Sequence, residues 1–153
     1  MKHIRFGPSG NSDLFYEQGF KSTVQAPKWL SAMGLDAYEY SFGRGVRLGE
    51  EKALLIGQEA RHYGIRLSVH LPYYINLSTD EPDKQEKNSD YYIESLSKAQ
   101  IMGAARAVFH PGSASKGTRT ENLEKALRSL KQIIHTVDEL GYGDIVLCPE
   151  TMG

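Results

Sequence analysis

Apolar positions recur at spacings of three and four along four stretches of the chain. Each stretch stops at a glycine that precedes a short β-branched or aromatic run. The junctions are Met33-Gly34 before Leu35 to Tyr40, Tyr63-Gly64 before Ile65 to His70, Met102-Gly103 before Ala104 to His110, and Leu140-Gly141 before Ile145 to Glu150. Glycine just past a last helical turn tolerates the left-handed cap conformation, so each junction reads as a helix stop followed by a strand. The clearest helix opens on the capping-box pattern Thr118-x-x-Glu121 and carries Leu123, Ala126, Leu127, Leu130, Ile133, Ile134, Val137 and Leu140 on one face. Shorter amphipathic patterns predict helices over about Leu48–Tyr63, Ser89–Met102 and Pro27–Met33, the last with proline in its first turn. An opening strand over His3–Phe6 completes an alternation of five strands and four helices.

Such an alternation means a parallel sheet with right-handed crossovers. Two architectures fit it: a doubly wound open sheet of five strands, and a TIM-type barrel of which only part is present, since a whole (β/α)₈ unit takes about 250 residues. The glycine junctions are too unevenly spaced for a solenoid. With 153 residues, 40% hydrophobic and 24% charged, the chain has enough apolar material for a folded core. The net charge of −1 and the lack of any basic tract mean that nucleic-acid binding must come from locally placed charge. The one cysteine, Cys148, closes no intramolecular disulfide and reads as a small buried residue; with no leader-like start and no apolar run of membrane-spanning length, a cytoplasmic protein without a membrane partner is expected.

In either architecture ligands bind at the carboxyl ends of the strands. Three strands end in His70, His110 and Glu150. Side chains alternate along a strand, so Ser68 shares a face with His70, Val108 with His110 and Cys148 with Glu150; Leu67, Val69, Ala107, Phe109, Ile145 and Leu147 fall on the opposite face and should pack under the helices. Three ligand-type residues therefore leave one face at the same height on consecutive strands. Two imidazoles and a carboxylate form a donor set that leaves an open coordination position on Zn²⁺, and Mn²⁺ or Fe²⁺ fit the same donors. His3, His62 and His135 read as structural or surface residues.

The loops after these strands carry Arg44 and Arg47, then Pro72-Tyr73-Tyr74-Ile75-Asn76, then Pro111-Gly112-Ser113 with Lys116 and Arg119. Basic groups, aromatics and hydroxyls on one rim suit a phosphodiester backbone, while Asp80, Glu81 and Asp83 work against a uniformly positive rim. Gly7-Pro8-Ser9-Gly10-Asn11 is glycine-rich but lacks the spacing of a phosphate-binding loop.

At these residues the sequence resembles the endonuclease IV family of apurinic/apyrimidinic endonucleases. The resemblance rests on Val69-His70-Leu71-Pro72-Tyr73-Tyr74-Ile75-Asn76-Leu77, on Phe109-His110-Pro111-Gly112-Ser113, on Pro149-Glu150-Thr151, and on the opening Ile4-Arg5-Phe6-Gly7-Pro8. It implies a TIM barrel holding a cluster of up to three Zn²⁺ and hydrolysis of the phosphodiester 5′ to abasic sites in double-stranded DNA. His70, His110 and Glu150 correspond to zinc ligands, with Glu150 bridging two metals as the catalytic carboxylate. Tyr73 corresponds to a residue that enters the bent duplex, and Arg44 is the nearest candidate for an arginine with a similar role. On this reading residues 1–153 are the N-terminal part of a single TIM-barrel domain, about five of its eight β/α units. The ligands from the later strands lie outside it. The chain alone is then expected to be a poor nuclease and to self-associate through its open barrel edges. A sugar isomerase or epimerase of the same superfamily, and a fragment without catalysis, are the alternatives.

Overall fold

The computed structural model describes residues 4–114 and 116–151. Its sheet has four parallel strands in sequential order: β1 (Ala37–Ser41), β2 (Arg66–His70), β3 (Arg106–Phe109) and β4 (Val146–Pro149). Ahead of β1 lie a short helix α1 (Asp13–Glu17), a 3₁₀ turn (Thr23–Gln25) and α2 (Ala26–Ala32). Helix α3 (Glu50–His62) joins β1 to β2, α4 (Pro82–Met102) joins β2 to β3, and α5 (Arg119–Glu139) joins β3 to β4. Sequential parallel strands with one helix per crossover are the repeating unit of a TIM barrel, and this sheet is part of such a barrel.

The predicted face assignment sets the layers. Leu67, Val69, Ala107 and Phe109 are buried beneath Ile56 and Ala60 of α3, Tyr92, Leu96 and Ala99 of α4, and Ile133 and Val137 of α5, in one apolar cluster. Each fully buried side chain such as Leu96 or Phe109 stabilises the fold by about 1.5–3 kcal/mol. The helices come close because Gly57 has no side chain: a β-carbon there would lie 2.4 Å from the Met102 carbonyl oxygen. Helix α4 ends as its sequence demands, at Gly103 with φ 70°, whose N–H caps the Ala99 and Gln100 carbonyls. The opposite face of the sheet, carrying Glu39, Ser68, Val108 and Cys148, is only half-buried.

Three sequence expectations are corrected here. No opening strand forms over residues 4–6, and His3 lies outside the described residues. Residues 6–10 instead lean irregularly on β1, with the Phe6 and Pro8 carbonyls accepting from Asp36, Ala37 and Glu39, and a single bridge at Ser9–Glu39. Pro8 has no N–H to give to a ladder, and Gly7 touches the Ala37 carbonyl so closely that a side chain would collide with it. Helix α4 begins at Pro82, not near Ser89, because its first two turns carry no apolar residue to show a period; proline at N1 and Asp83 in the first turn start it. Cys148 is not buried, since the face it shares with Val108 is the open one.

Candidate metal centre

His70 closes β2, His110 follows the last residue of β3, and Glu150 follows the last residue of β4. They do not leave the sheet at one height. The register pairs His70 with Val108 and Phe109 with Pro149, so His110 and Glu150 are level while His70 starts two residues lower. Strands in a barrel are staggered and tilted, and the tilt brings the tips together. One ligand-type atom from each of the three lies within 4.8 Å of the others, so the group could hold a metal ion.

The hydrogen-bond geometry sets the donor and acceptor roles within the cluster. His70 Nδ1 lies 2.8 Å from the Leu71 carbonyl, which can only accept; Nδ1 therefore carries hydrogen, and a neutral ring presents the Nε2 lone pair. That Nε2 faces Glu150 Oε2 at 3.1 Å, and His110 Nε2 faces the same oxygen at 3.4 Å. Acceptors converging this way need a cation between them, either a proton on an imidazole or a metal ion. The two rings stand edge to face at 5.0 Å and 80°. Hydrogen bonding from His70, reinforced by the charge of His70 and His110 when protonated, holds the Glu150 carboxyl below the ordinary carboxylate range. The chemistry of the donor set fits a borderline divalent metal with open positions left for water or substrate.

The loops that carry these ligands are bonded to each other. Asn76 Oδ1 accepts from the Ser78 amide at 3.1 Å and the Ser78 hydroxyl at 2.7 Å, while its Nδ2 donates to the Ser113 carbonyl at 3.4 Å. Ser78 Oγ also lies 3.0 Å from the Ser113 carbonyl oxygen, within reach of the same hydroxyl hydrogen, and the Leu77 amide donates to the Pro111 carbonyl at 3.2 Å. Asn88 of α4 donates to the Asn76 carbonyl from below at 2.7 Å. Gly112, at φ 125°, fits only as glycine, since a β-carbon would lie 2.3 Å from Asn76 Oδ1. Sequence reasoning met Asn76 and Gly112 as motif letters; their contact is what joins the two motifs.

The rim residues are where the loops predict. Tyr73 and Tyr74 are exposed and edge to face at 5.5 Å, and Arg44 and Arg47 lie on the loop after β1. The acids of the rim are partly neutralised: Asp80 pairs with Lys125, and Glu81 with Lys84 at 2.7 Å. His62 stacks edge-on against Tyr63 at 4.6 Å, and His135 is an exposed partner of Glu139, both away from the cluster. Glu39, which sequence reasoning passed over, is held on the inner face by Ser9 at 2.8 Å and Ser68 at 3.3 Å. Its signal was available in strand alternation, which sets this one charged side chain opposite the buried Tyr38.

A partial parallel barrel whose strand ends converge two imidazoles and a carboxylate defines a TIM-barrel protein with a metal-type site. The chain belongs to the xylose isomerase-like TIM barrel family, whose pattern matches residues 27–153. It is 31% identical over 126 residues to uncharacterized protein MJ0133 of Methanocaldococcus jannaschii, covering 81% of this chain and 44% of that protein. It is 33% identical over 84 residues to the probable endonuclease 4 of Mycoplasma pneumoniae, covering 55% and 28%. Among solved structures, D-psicose 3-epimerase from Clostridium cellulolyticum superposes with a TM-score of 0.72 at 16% identity, covering 95% of this chain and 49% of the epimerase. Endonuclease IV from Thermus thermophilus superposes at 0.59 with 23% identity, covering 85% and 47%. The chain thus spans less than half the length of the curated relatives named here. Among the described residues no helix is long and apolar enough to cross a membrane.

Proposed function

We propose that this chain carries part of the active site of an endonuclease IV-like phosphodiesterase that cleaves DNA 5′ to abasic sites. The observation that carries the reading is the interlock of the two histidine loops through Asn76, Gly112 and Ser113, which sets His70 and His110 against Glu150. His70 and His110 would hold a divalent metal through Nε2, and Glu150 would hold it through a carboxylate oxygen. Such a cation, when bound, would supply Lewis-acid stabilisation of charge developing on a phosphoryl oxygen. The Leu71 carbonyl fixes the His70 ring so that its lone pair points at that position. Tyr73, exposed on the loop after β2, enters the duplex at the lesion, and Arg44, on the loop after β1, has a similar role there.

The relatives named endonuclease 4 support this chemistry, and the motifs that carry the resemblance are those of the ligand-bearing loops. The overlay on sugar epimerases supports a second reading, in which the same ligands hold vicinal hydroxyls of a free sugar. One experiment separates them. The chain, loaded with Zn²⁺, is incubated with a duplex holding one abasic site and, separately, with ketohexoses. Nicking 5′ to the lesion, slow as expected of a chain without the later ligands, that disappears in Glu150→Gln supports the nuclease. Epimerised sugar with intact DNA supports the alternative and overturns the proposal.

A further inference from the structure

Helix α4 reaches the loop that follows β2 through two amide side chains three residues apart, on one face of the helix. Gln85 Nε2 donates to the Thr79 carbonyl at 2.8 Å, and Asn88 Nδ2 donates to the Asn76 carbonyl at 2.7 Å. A carbonyl can only accept, so in both bonds the amide nitrogen is the donor. The two side chains differ in burial: Gln85 is exposed, whereas Asn88 is 9% exposed.

They also hold different things. Thr79 bonds within its own loop, its hydroxyl oxygen accepting from the Glu81 amide at 3.3 Å. Asn76 is where the chain leaving His70 is fastened to the chain leaving His110. Its Nδ2 donates to the Ser113 carbonyl, and the amide of the next residue, Leu77, donates to the Pro111 carbonyl. The Asn76 carbonyl has one further donor, the Thr79 amide at 3.4 Å, so the bond from Asn88 is the shorter of its two. Beside Asn88 lies a cavity of about 60 Å³ whose lining includes Ser89 of α4 and Ser129 and Gln132 of α5. It is polar and roomy enough for water. A truncated side chain at 88 therefore lets water take over the bond, whereas a carboxylate of the same shape sets acceptor against acceptor.

We propose that Asn88 is a positioning residue: by holding the Asn76 carbonyl it sets, from helix α4, the fastening of the two histidine loops and with it the spacing of His70 and His110. The consequence for metal rests on the proposed function; the spacing of the two rings does not.

The test compares Asn88→Asp with Gln85→Glu. Each turns a donating amide into an acceptor of the same shape and adds the same charge to the same face of α4, but only the first acts on the fastened residue. In the metal-free chain the edge-to-face imidazoles, 5.0 Å between centroids, give a nuclear Overhauser cross-peak between their ring hydrogens. That cross-peak should be lost in Asn88→Asp and kept in Gln85→Glu. Co²⁺ affinity, read from the visible absorption of the bound ion, should fall by about fivefold in Asn88→Asp and stay unchanged in Gln85→Glu, the effect of one net hydrogen bond. In an Asn76→Ala background, where the side-chain fastening is gone, adding Asn88→Asp should change neither readout further. Asn88→Ala should move both readouts in the same direction by less, and it decides the matter if Asn88→Asp does not fold. An unchanged cross-peak in both Asn88 variants overturns the positioning role, and so does an equal loss in Gln85→Glu. If the parent chain binds no Co²⁺, the metal reading fails while the ring cross-peak still decides the role of Asn88.

Discussion

His70 Nε2 and Glu150 Oε2 lie 3.1 Å apart across 80 residues of sequence, with the other nitrogen of His70 already committed to the Leu71 carbonyl. Two acceptors held this close require a cation, a proton on the imidazole or a metal ion, and the metal case is directly testable. Zn²⁺ should bind the chain, and Glu150→Gln, His70→Ala and His110→Ala should each weaken it by at least about tenfold, the lower bound for disturbing even an outer partner of a ligand. Competition against a chromophoric chelator reads the change. Glu150, held below its ordinary range, stays charged in mild acid, so its protonation does not weaken metal binding there. Unaltered affinity in all three variants would remove the site.

Gly112 packs against Asn76 where the two histidine loops meet, with no room for a β-carbon. Gly112→Ala forces a β-carbon into Asn76 Oδ1 and places alanine at φ 125°, a strain of about 1–3 kcal/mol. Asn76→Ala clears the space but deletes the bonds to Ser78 and Ser113, costing about 1–3 kcal/mol. The double variant should therefore be less damaged than the sum, because the steric part of the glycine effect vanishes with the asparagine side chain while the backbone part remains. Urea denaturation of the four proteins measures this. Strict additivity would mean that the two loops do not share this contact.

Much of this was legible in the sequence because it depends on short-range rules. The glycine stops, the Thr118 capping box and the alternation that buries Val69 and Phe109 each act within a few residues, and each appears where expected. What was not legible depends on distance. The stagger that sets His70 two residues below His110 comes from strand tilt, which no local pattern encodes. The early start of α4 was hidden because its first turns are polar on every side. Asn76 is one polar loop residue among many in the sequence, and its role depends on Gly112 packing against it from a loop 36 residues further on.

Gly57 gives a prediction whose sign runs against propensity. Replacing glycine by alanine inside a helix ordinarily stabilises by roughly 0.5–1 kcal/mol. Here the new β-carbon would meet the Met102 carbonyl oxygen at 2.4 Å and its carbon at 2.9 Å, both backbone atoms of the neighbouring helix. Separating α3 from α4 costs about 1–3 kcal/mol, which exceeds the propensity gain. Gly57→Ala should lower the denaturation midpoint, and a rise would show that the two helices are free to move apart.

The capping box of α5 predicts a pH dependence that can be isolated by one substitution. The Glu121 carboxylate accepts from the Thr118 amide at 2.7 Å and the Thr118 hydroxyl at 3.0 Å, and these bonds hold its carboxyl below the ordinary range. A carboxyl depressed in the folded state contributes stability that is complete above its unfolded value, about 4.3, and is lost as pH falls through the folded value. The difference in stability between the parent and Glu121→Gln should therefore be constant from neutral pH down to about 5 and close below about 4. Thr118→Ala removes the hydroxyl cap, about 1 kcal/mol, but leaves the backbone bond that contributes most to the shift, so it should retain most of the acid sensitivity. Urea titrations of the three proteins across this range decide the matter, and a parent-to-Glu121→Gln gap that persists unchanged into strong acid would show that the box contributes nothing through its charge.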